Sequence, residues 1–302
     1  MGINLYKEPE LKNPYLIVGW PGIGNIGIIA INTLREMLGA EEFGEIEPWE
    51  FFYPRRISFK AGVLEDLEFP GNKFYFKKTP NRDLIFFIGE EQPSYPGEKY
   101  AAGGKAFKMA NLVLDVGLKF GCKRVYTSGA AVSSIHQKTK PRVWAVPNKK
   151  ELIKEVKKYE NTILMSEIEG RGGQGNISGL NGLLLGVAKK RGLEGICVMG
   201  EIPIYVYQFP ISYPKGSKSV LEVLSRMLEV DVDLSQFDIF IQKVEKKIDE
   251  IYMQLPKEII TQLDRLKTVS EAEVDKKKFM ENIDKLFQDI EESFKEGGGK
   301  TG

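Results

Sequence analysis

Gly22, Gly24 and Gly27 stand at G-x-G-x-x-G spacing in the stretch Gly19-Trp-Pro-Gly-Ile-Gly-Asn-Ile-Gly27. A short apolar run, 16–18, precedes them, and a helical pattern through Leu34 and Leu38 follows. A glycine turn between a strand and a helix can bind anions, because the helix N-terminus offers unpaired N–H groups and a partial positive charge. Asn25 lies inside the turn and could add a polar side chain. A dinucleotide site would want an acid about 20 residues further on, for the ribose. Glu45, Glu47 and Glu50 fall in that window. Pro48 and the aromatic run Trp49-Glu-Phe-Phe-Tyr53 argue against a clean strand ending there, and Pro21 removes a donor where free N–H groups are wanted. A different anion or small-molecule site fits better than a dinucleotide, and a tight structural turn is the leading reading.

Other residues could join a crevice with that turn. Thr127, Ser128 and Gly129, in Thr127-Ser-Gly-Ala-Ala-Val-Ser-Ser134, read as a loop after a strand at 124–127. Small residues and hydroxyls at a strand's carboxyl end can line a ligand site, and they can equally allow close packing between subunits. Asn181 sits in Gly179-Leu-Asn-Gly182, where the glycine-dense stretch 170–182 runs into a helix. That stretch lacks the Gly-Lys-Ser/Thr ending of a P-loop. Glu90, beside Glu91, follows the strand 84–89, and Glu201 follows 198–200 in the same way. Carboxylates so placed could work as general acid and base, although a solvated loop is the commoner arrangement. His136 is the only histidine and has no obvious nucleophile beside it, so it reads as a surface side chain. Cys122 and Cys197 each follow a glycine closely at the start of an apolar run and read as small buried side chains. One histidine and two cysteines make a metal site improbable, and no metal or other cofactor is expected.

The elements that must hold these residues alternate. Apolar strand candidates fall at 16–19, 74–76, 84–89, 124–127, 143–146 and 195–199, with helical patterns at 26–38, 104–120, 149–159, 178–191 and 217–228. This alternation predicts an α/β fold with a mostly parallel central sheet flanked by helices. The segments 118–129 and 187–200 echo each other as helix end, glycine, strand, small turn, which reads as one αβ unit used twice. After Asp233 glycine almost vanishes and the pattern turns helical. Ile241, Val244, Ile248, Ile251 and Leu255 form one stripe, Ile259, Ile260, Leu263 and Leu266 a second, and Phe279, Ile283, Leu286, Phe287, Ile290 and Phe294 a third. The expected organisation is an α/β domain at 1–232, a C-terminal helical extension at 233–296 and a tail at 297–302. The extension docks on its own domain or on a partner subunit.

Composition narrows the partners. The net charge of +1 gives no broad attraction to nucleic acid or to a membrane, and apolar runs such as 84–88 are far too short to span a bilayer. The first ten residues are polar and acidic, unlike a signal peptide, so a cytoplasmic protein is expected. Few cysteines and many lysines and glutamates fit a thermophile. The run Trp49, Phe51, Phe52, Tyr53 is unusually apolar for a loop, and with Phe279, Ile283, Phe287, Ile290 and Phe294 it marks candidate interfaces for self-association.

Taken in order, the segments 19–27, Glu90, Thr127-Ser-Gly-Ala-Ala131, Gly179-Leu-Asn-Gly182 and Met199-Gly-Glu201 resemble the proteasome assembly chaperone family, in its archaeal and bacterial branch. The resemblance covers about 1–230. It implies a fold akin to the nucleoside phosphorylases and hydrolases, homo-oligomers, and a role in proteasome assembly or regulation through proteasome subunits or a paralogous chaperone. It carries over no catalytic residues. Some archaeal members are thought to engage the proteasome through a hydrophobic-Tyr-X tail, whereas this chain ends Lys300-Thr-Gly302, so docking through that motif is not expected. The fold relationship supplies an alternative: a nucleoside phosphorylase-like or other small-molecule enzyme using the glycine crevice. The turn has no arginine to clamp phosphate.

Overall fold

A computed structural model of the chain describes residues 2–94, 103–167, 175–207, 209–255 and 257–265. At its centre four strands run parallel: β2 (Tyr15–Gly19), β7 (Leu84–Gly89), β8 (Arg124–Ser133) and β11 (Glu194–Pro203). Both faces of these strands are covered, and β2 and β7 accordingly read as unbroken apolar runs rather than alternating ones. Leu16, Ile17 and Val18 are all buried, as are Leu84 to Phe87. The described sheet has nine strands in the order β1-β3-β6-β7-β2-β8-β11-β9-β10. Its antiparallel flank is β6 (Asn72–Lys77), β3 (Glu41–Ile46) and β1 (Ile3–Leu5). On the other side β9 (Val143–Pro147) runs antiparallel to β11 and pairs in parallel with β10 (Thr162–Leu164). Outside this sheet, β4 (Arg56–Lys60) and β5 (Val63–Glu68) form a separate two-stranded hairpin.

Helices close the two faces. On one lie α1 (Ile26–Met37), α5 (Pro214–Leu228) and α6 (Ser235–Gln254), sharing a core with Ile17, Phe86, Tyr126 and Val198. On the other lie α2 (Gly103–Lys119) and α4 (Gly179–Lys190), packed with Leu16, Val18, Phe87 and Val125. The short α3 (Ile153–Val156) and α7 (Lys257–Arg265) complete the set of described α-helices. The two echoing segments become α2-β8 and α4-β11, and their strands lie side by side with Arg124 opposite Glu194. There Arg124 holds Glu155 through two hydrogen bonds and Glu194 through two more.

Several expectations need correction. The strand expected at 124–127 runs on to Ser133 and the one expected at 195–199 runs on to Pro203, so Thr127, Ser128, Gly129 and Glu201 lie inside strands and not in loops. Small residues there read as turn-like in sequence, yet full pairing from Glu194↔Arg124 to Pro203↔Ser133 keeps the chain extended. The helix expected at 149–159 is only a 3-10 turn, Lys150–Leu152, followed by α3. Strands β1, β3, β4, β5 and β10 were outside the predicted set, being short, edge-lying or rich in charge.

Of the first C-terminal stripe, Ile241, Ile248 and Leu255 join the core and Val244 packs against it, whereas Ile251 does not; Phe237 and Tyr252, outside the stripe, are buried there as well, and α6 lies beside α5. The third stripe, Phe279, Ile283, Leu286, Phe287, Ile290 and Phe294, and the tail lie outside the described residues.

Candidate functional site

The glycine turn is built for close packing first. Gly24 has φ +57°, a left-handed conformation that side chains beyond glycine rarely adopt, and a Cβ there would sit 2.9 Å from Ile202 Cδ1. Asn25 follows at φ +50°, as the residue before α1. At Gly27 a Cβ would lie 2.5 Å from the Ser128 carbonyl oxygen, so the missing side chain is what lets α1 rest on the backbone of β8. Thr127 and Ser128, fully buried at this contact, belong to the interior. Gly22, by contrast, is extended, exposed and has open space where a side chain would go.

Around Gly22 two clefts open at the carboxyl ends of the parallel strands, where α/β sheets place ligands. The larger holds about 600 Å³ and is bordered by Gly22, Gly24, Asn25, Glu90, Glu91 and Tyr207. The smaller, about 220 Å³, is bordered by Gly129, Ala131, Trp144, Met165, Asn181 and Met199. Gln92 borders both. Its amide donates to the Pro21 carbonyl at 2.6 Å and accepts from the Leu180 N–H at 2.9 Å. One donor at the start of α4 is thereby taken by the protein's own side chain, which weakens that helix end as an anion site.

The carboxylates are occupied. Glu90 and Glu91 share Arg55, which donates to each at 2.7 and 2.5 Å, and Glu90 also accepts from Gly71 N–H at 3.0 Å. Glu201 has no exposed surface. Arg142 donates to it from its backbone N–H at 2.8 Å and from its guanidinium at 2.7 Å, Trp144 Nε1 at 2.9 Å and Ser133 Oγ at 3.1 Å. A buried carboxylate needs such a set of donors to offset its lost hydration. Both oxygens are thereby engaged, and Glu201 ties β11 to β9 and β8 and does not border either cleft. Arg142 and Trp144 were not singled out in sequence. Their signal was the two-residue period of a strand, which puts both on the face that meets Glu201 in the β9–β11 register.

The strand after α1 rules out the dinucleotide arrangement. β3 lies beyond β6 and β7 from β2, so Glu45 is far across the sheet from the turn. His136 is not at the surface but buried, edge-on to Tyr252 of α6, with Nδ1 accepting from the Lys138 N–H at 3.1 Å. Its burial follows from α6 closing over the end of β8. Of the aromatic run, Phe51 packs into the core and Phe52 is half-buried, while Trp49 and Tyr53 stand in solvent. Cys122 and Cys197 are buried as expected, and burial pushes their thiols up to about 12 and about 11. Among the described residues no cluster of histidine, cysteine and acid side chains could hold a metal ion.

With this geometry in place, comparison with known proteins gives one consistent answer. The family model described as PAC2 family matches residues 16–252. The protein MJ1210 of Methanocaldococcus jannaschii is 28% identical over 245 residues, covering 81% of this chain and 84% of that one. The crystal structure of Pyrococcus furiosus PbaB, described as an archaeal proteasome activator, aligns with TM-score 0.68 and 30% identity over 82% of this chain and 97% of that one. Pyrococcus furiosus PbaA, described as an archaeal homolog of proteasome-assembly chaperone, shares the fold at TM-score 0.57 and 22% identity, over 83% of this chain and 97% of that one.

Proposed function

Because this chain belongs to the PAC2 family, we propose that it is a binding protein in the assembly or regulation of the proteasome, working as a homo-oligomer and without chemistry of its own. The observation that carries the reading is its 30% identity to PbaB over nearly the whole of that protein. The site's geometry supports it. The carboxylates nearest the clefts are already held by Arg55, and the buried Glu201 is held by Arg142, so none is placed to move a proton. Large apolar side chains stand instead on the outer surface, where they suit contact with protein. The partners are proteasome α subunits or a paralogous chaperone, met in the cytoplasm.

The test is capture. Immobilised full-length chain is expected to retain purified archaeal proteasome α subunits at micromolar concentration. Absence of retention, alongside turnover of a nucleoside with inorganic phosphate, would replace the reading with the enzyme one.

A further inference from the structure

Glycine inside a strand weakens it, and usually marks a bulge or a place where a backbone or a ligand comes close. Gly129 lies inside β8, and the fold itself gives no reason for it. There is no bulge, since β8 pairs with β11 without a shift from Glu194↔Arg124 to Pro203↔Ser133. No backbone comes close either. A Cβ built on Gly129 would meet only Asn181 Nδ2 at 3.8 Å and Met199 Cγ at 3.9 Å among the described residues, both ordinary contacts. Gly27 differs, because there the missing side chain makes room for the Ser128 carbonyl. Gly129 stands opposite Met199 and Met199 opposite Trp144, so the three form one row across β8, β11 and β9. Met199 and Trp144 are buried, whereas Gly129 is partly open and borders the smaller cleft with them.

Asn181, the third residue of α4, borders the same cleft. It is only 6% exposed, and its Oδ1 is buried without a hydrogen-bond partner among the described residues. Buried polar side chains are nearly always paired, so an orphaned amide beside an open cleft points to a ligand. The other walls say which kind. None of the described side chains bordering this cleft is ionisable, so nothing there offsets the cost of bringing in an ion. Trp144, Met165 and Met199 are polarisable groups of the sort that pack on a flat ring. At about 220 Å³ the cleft falls below the roughly 300–1,000 Å³ of sites for drug-sized ligands.

We propose that this cleft binds a small, flat, uncharged heterocycle whose edge carries a carbonyl beside an N–H. The Asn181 amide presents one donor and one acceptor side by side, the complement of that lactam edge. Nδ2 donates to the ligand carbonyl, and the ligand N–H donates to Oδ1. The ring fills the space that Gly129 leaves open, against Met199 and Trp144. Phosphorylated compounds are excluded by the neutral walls. This site goes beyond the proteasome reading and does not depend on it.

The probe is carbostyril, a flat bicyclic lactam, followed with the full-length chain by ligand-observed NMR. Saturable binding at millimolar concentration or below is expected. N-methylcarbostyril, which lacks the N–H, should bind at least about tenfold more weakly. Asn181→Leu and Gly129→Val should each weaken carbostyril binding by a similar factor with circular dichroism unchanged. Because Asn181→Leu removes an unpartnered amide, its melting midpoint should not fall below that of wild type. Hypoxanthine, a free lactam base, should bind more tightly than acetylglutamine amide, which carries the same edge without a ring. No saturable binding of carbostyril, or binding that both variants keep, overturns the proposal. Equal binding of the methylated compound overturns it by removing the amide contact. A lower midpoint for Asn181→Leu overturns it by showing that the amide is paired within the fold. Tighter binding of acetylglutamine amide than of hypoxanthine overturns it and gives the cleft to a protein side chain.

Discussion

At the scale of single residues, the glycine motif is a packing device. Gly27→Ala is the informative change, since two effects oppose each other. Alanine is worth up to about 1 kcal/mol over glycine in a helix. Its Cβ, however, would meet the Ser128 carbonyl oxygen at 2.5 Å, and backbone cannot swing aside as a side-chain tip does. Overpacking of this kind costs about 1–3 kcal/mol, so a net loss of about 1–2 kcal/mol is expected in urea unfolding. A more stable variant would show that α1 does not rest on β8 as described. The thiols give a second expectation. With Cys122 and Cys197 buried and raised to about 12 and about 11, neither should react with a disulfide reagent at pH 8 until the chain unfolds. An unfolded thiol ionises near pH 8.5. Between that value and the raised ones the folded state holds more protons, so both groups contribute to stability that is fully present below pH 8.5 and is lost as pH rises towards 11–12. Rapid labelling of the native protein at pH 8 would contradict the burial.

At the scale of elements, α6 decides what the C-terminal stripe is for. Its inward residues Ile241 and Ile248 share the core with Val220 and Leu224 of α5, and Tyr252 closes over His136. Lys138 and Gln137 add contacts to Asp249 at 2.9 and 3.0 Å. Ile248→Ala should therefore cost about 2–4 kcal/mol, as an aliphatic truncation in a core does, in a single cooperative urea transition. A loss under 0.5 kcal/mol, or a separate early transition, would mean that α6 is loosely applied. Among the antiparallel elements, β3 escaped the sequence for the opposite reason. β3, Glu41-Glu-Phe-Gly-Glu-Ile46, has three acids in six residues because it lies near the sheet edge, where side chains meet water.

At the scale of the molecule, the clefts and the outer surface offer two routes to function, and Gly22 separates them. It borders both clefts, is extended, and a Cβ placed on it would meet nothing within 4 Å. Gly22→Trp should fill the crevice without strain in the fold. Capture of α subunits is expected to stay within about twofold of wild type, since the proposed reading puts protein contacts on the outer surface and a neutral contact costs little. Loss of capture in this variant, with circular dichroism unchanged, would move the binding surface into the crevice.

The sequence by itself determined the parallel centre and the family. Unbroken apolar runs at 16–18 and 84–88 arise only where both faces of a strand are covered, and the order of glycine turn, Glu90, Thr127–Ala131 and Glu201 is a one-dimensional signature. It also placed the apolar face of α6, because helical period is local. Only the tertiary structure decided what the candidate residues do. Thr127 and Ser128 read equally as a crevice or as a close contact between subunits, and neither foresees that α1 lies on them and makes them interior. Glu201 read as a free carboxylate because Arg142 and Trp144, which hold it, come from a strand some 60 positions away. His136 went under α6 through contacts more than 100 positions apart. Burial and charge pairing are sums over neighbours in space, and spacing along a chain does not contain them.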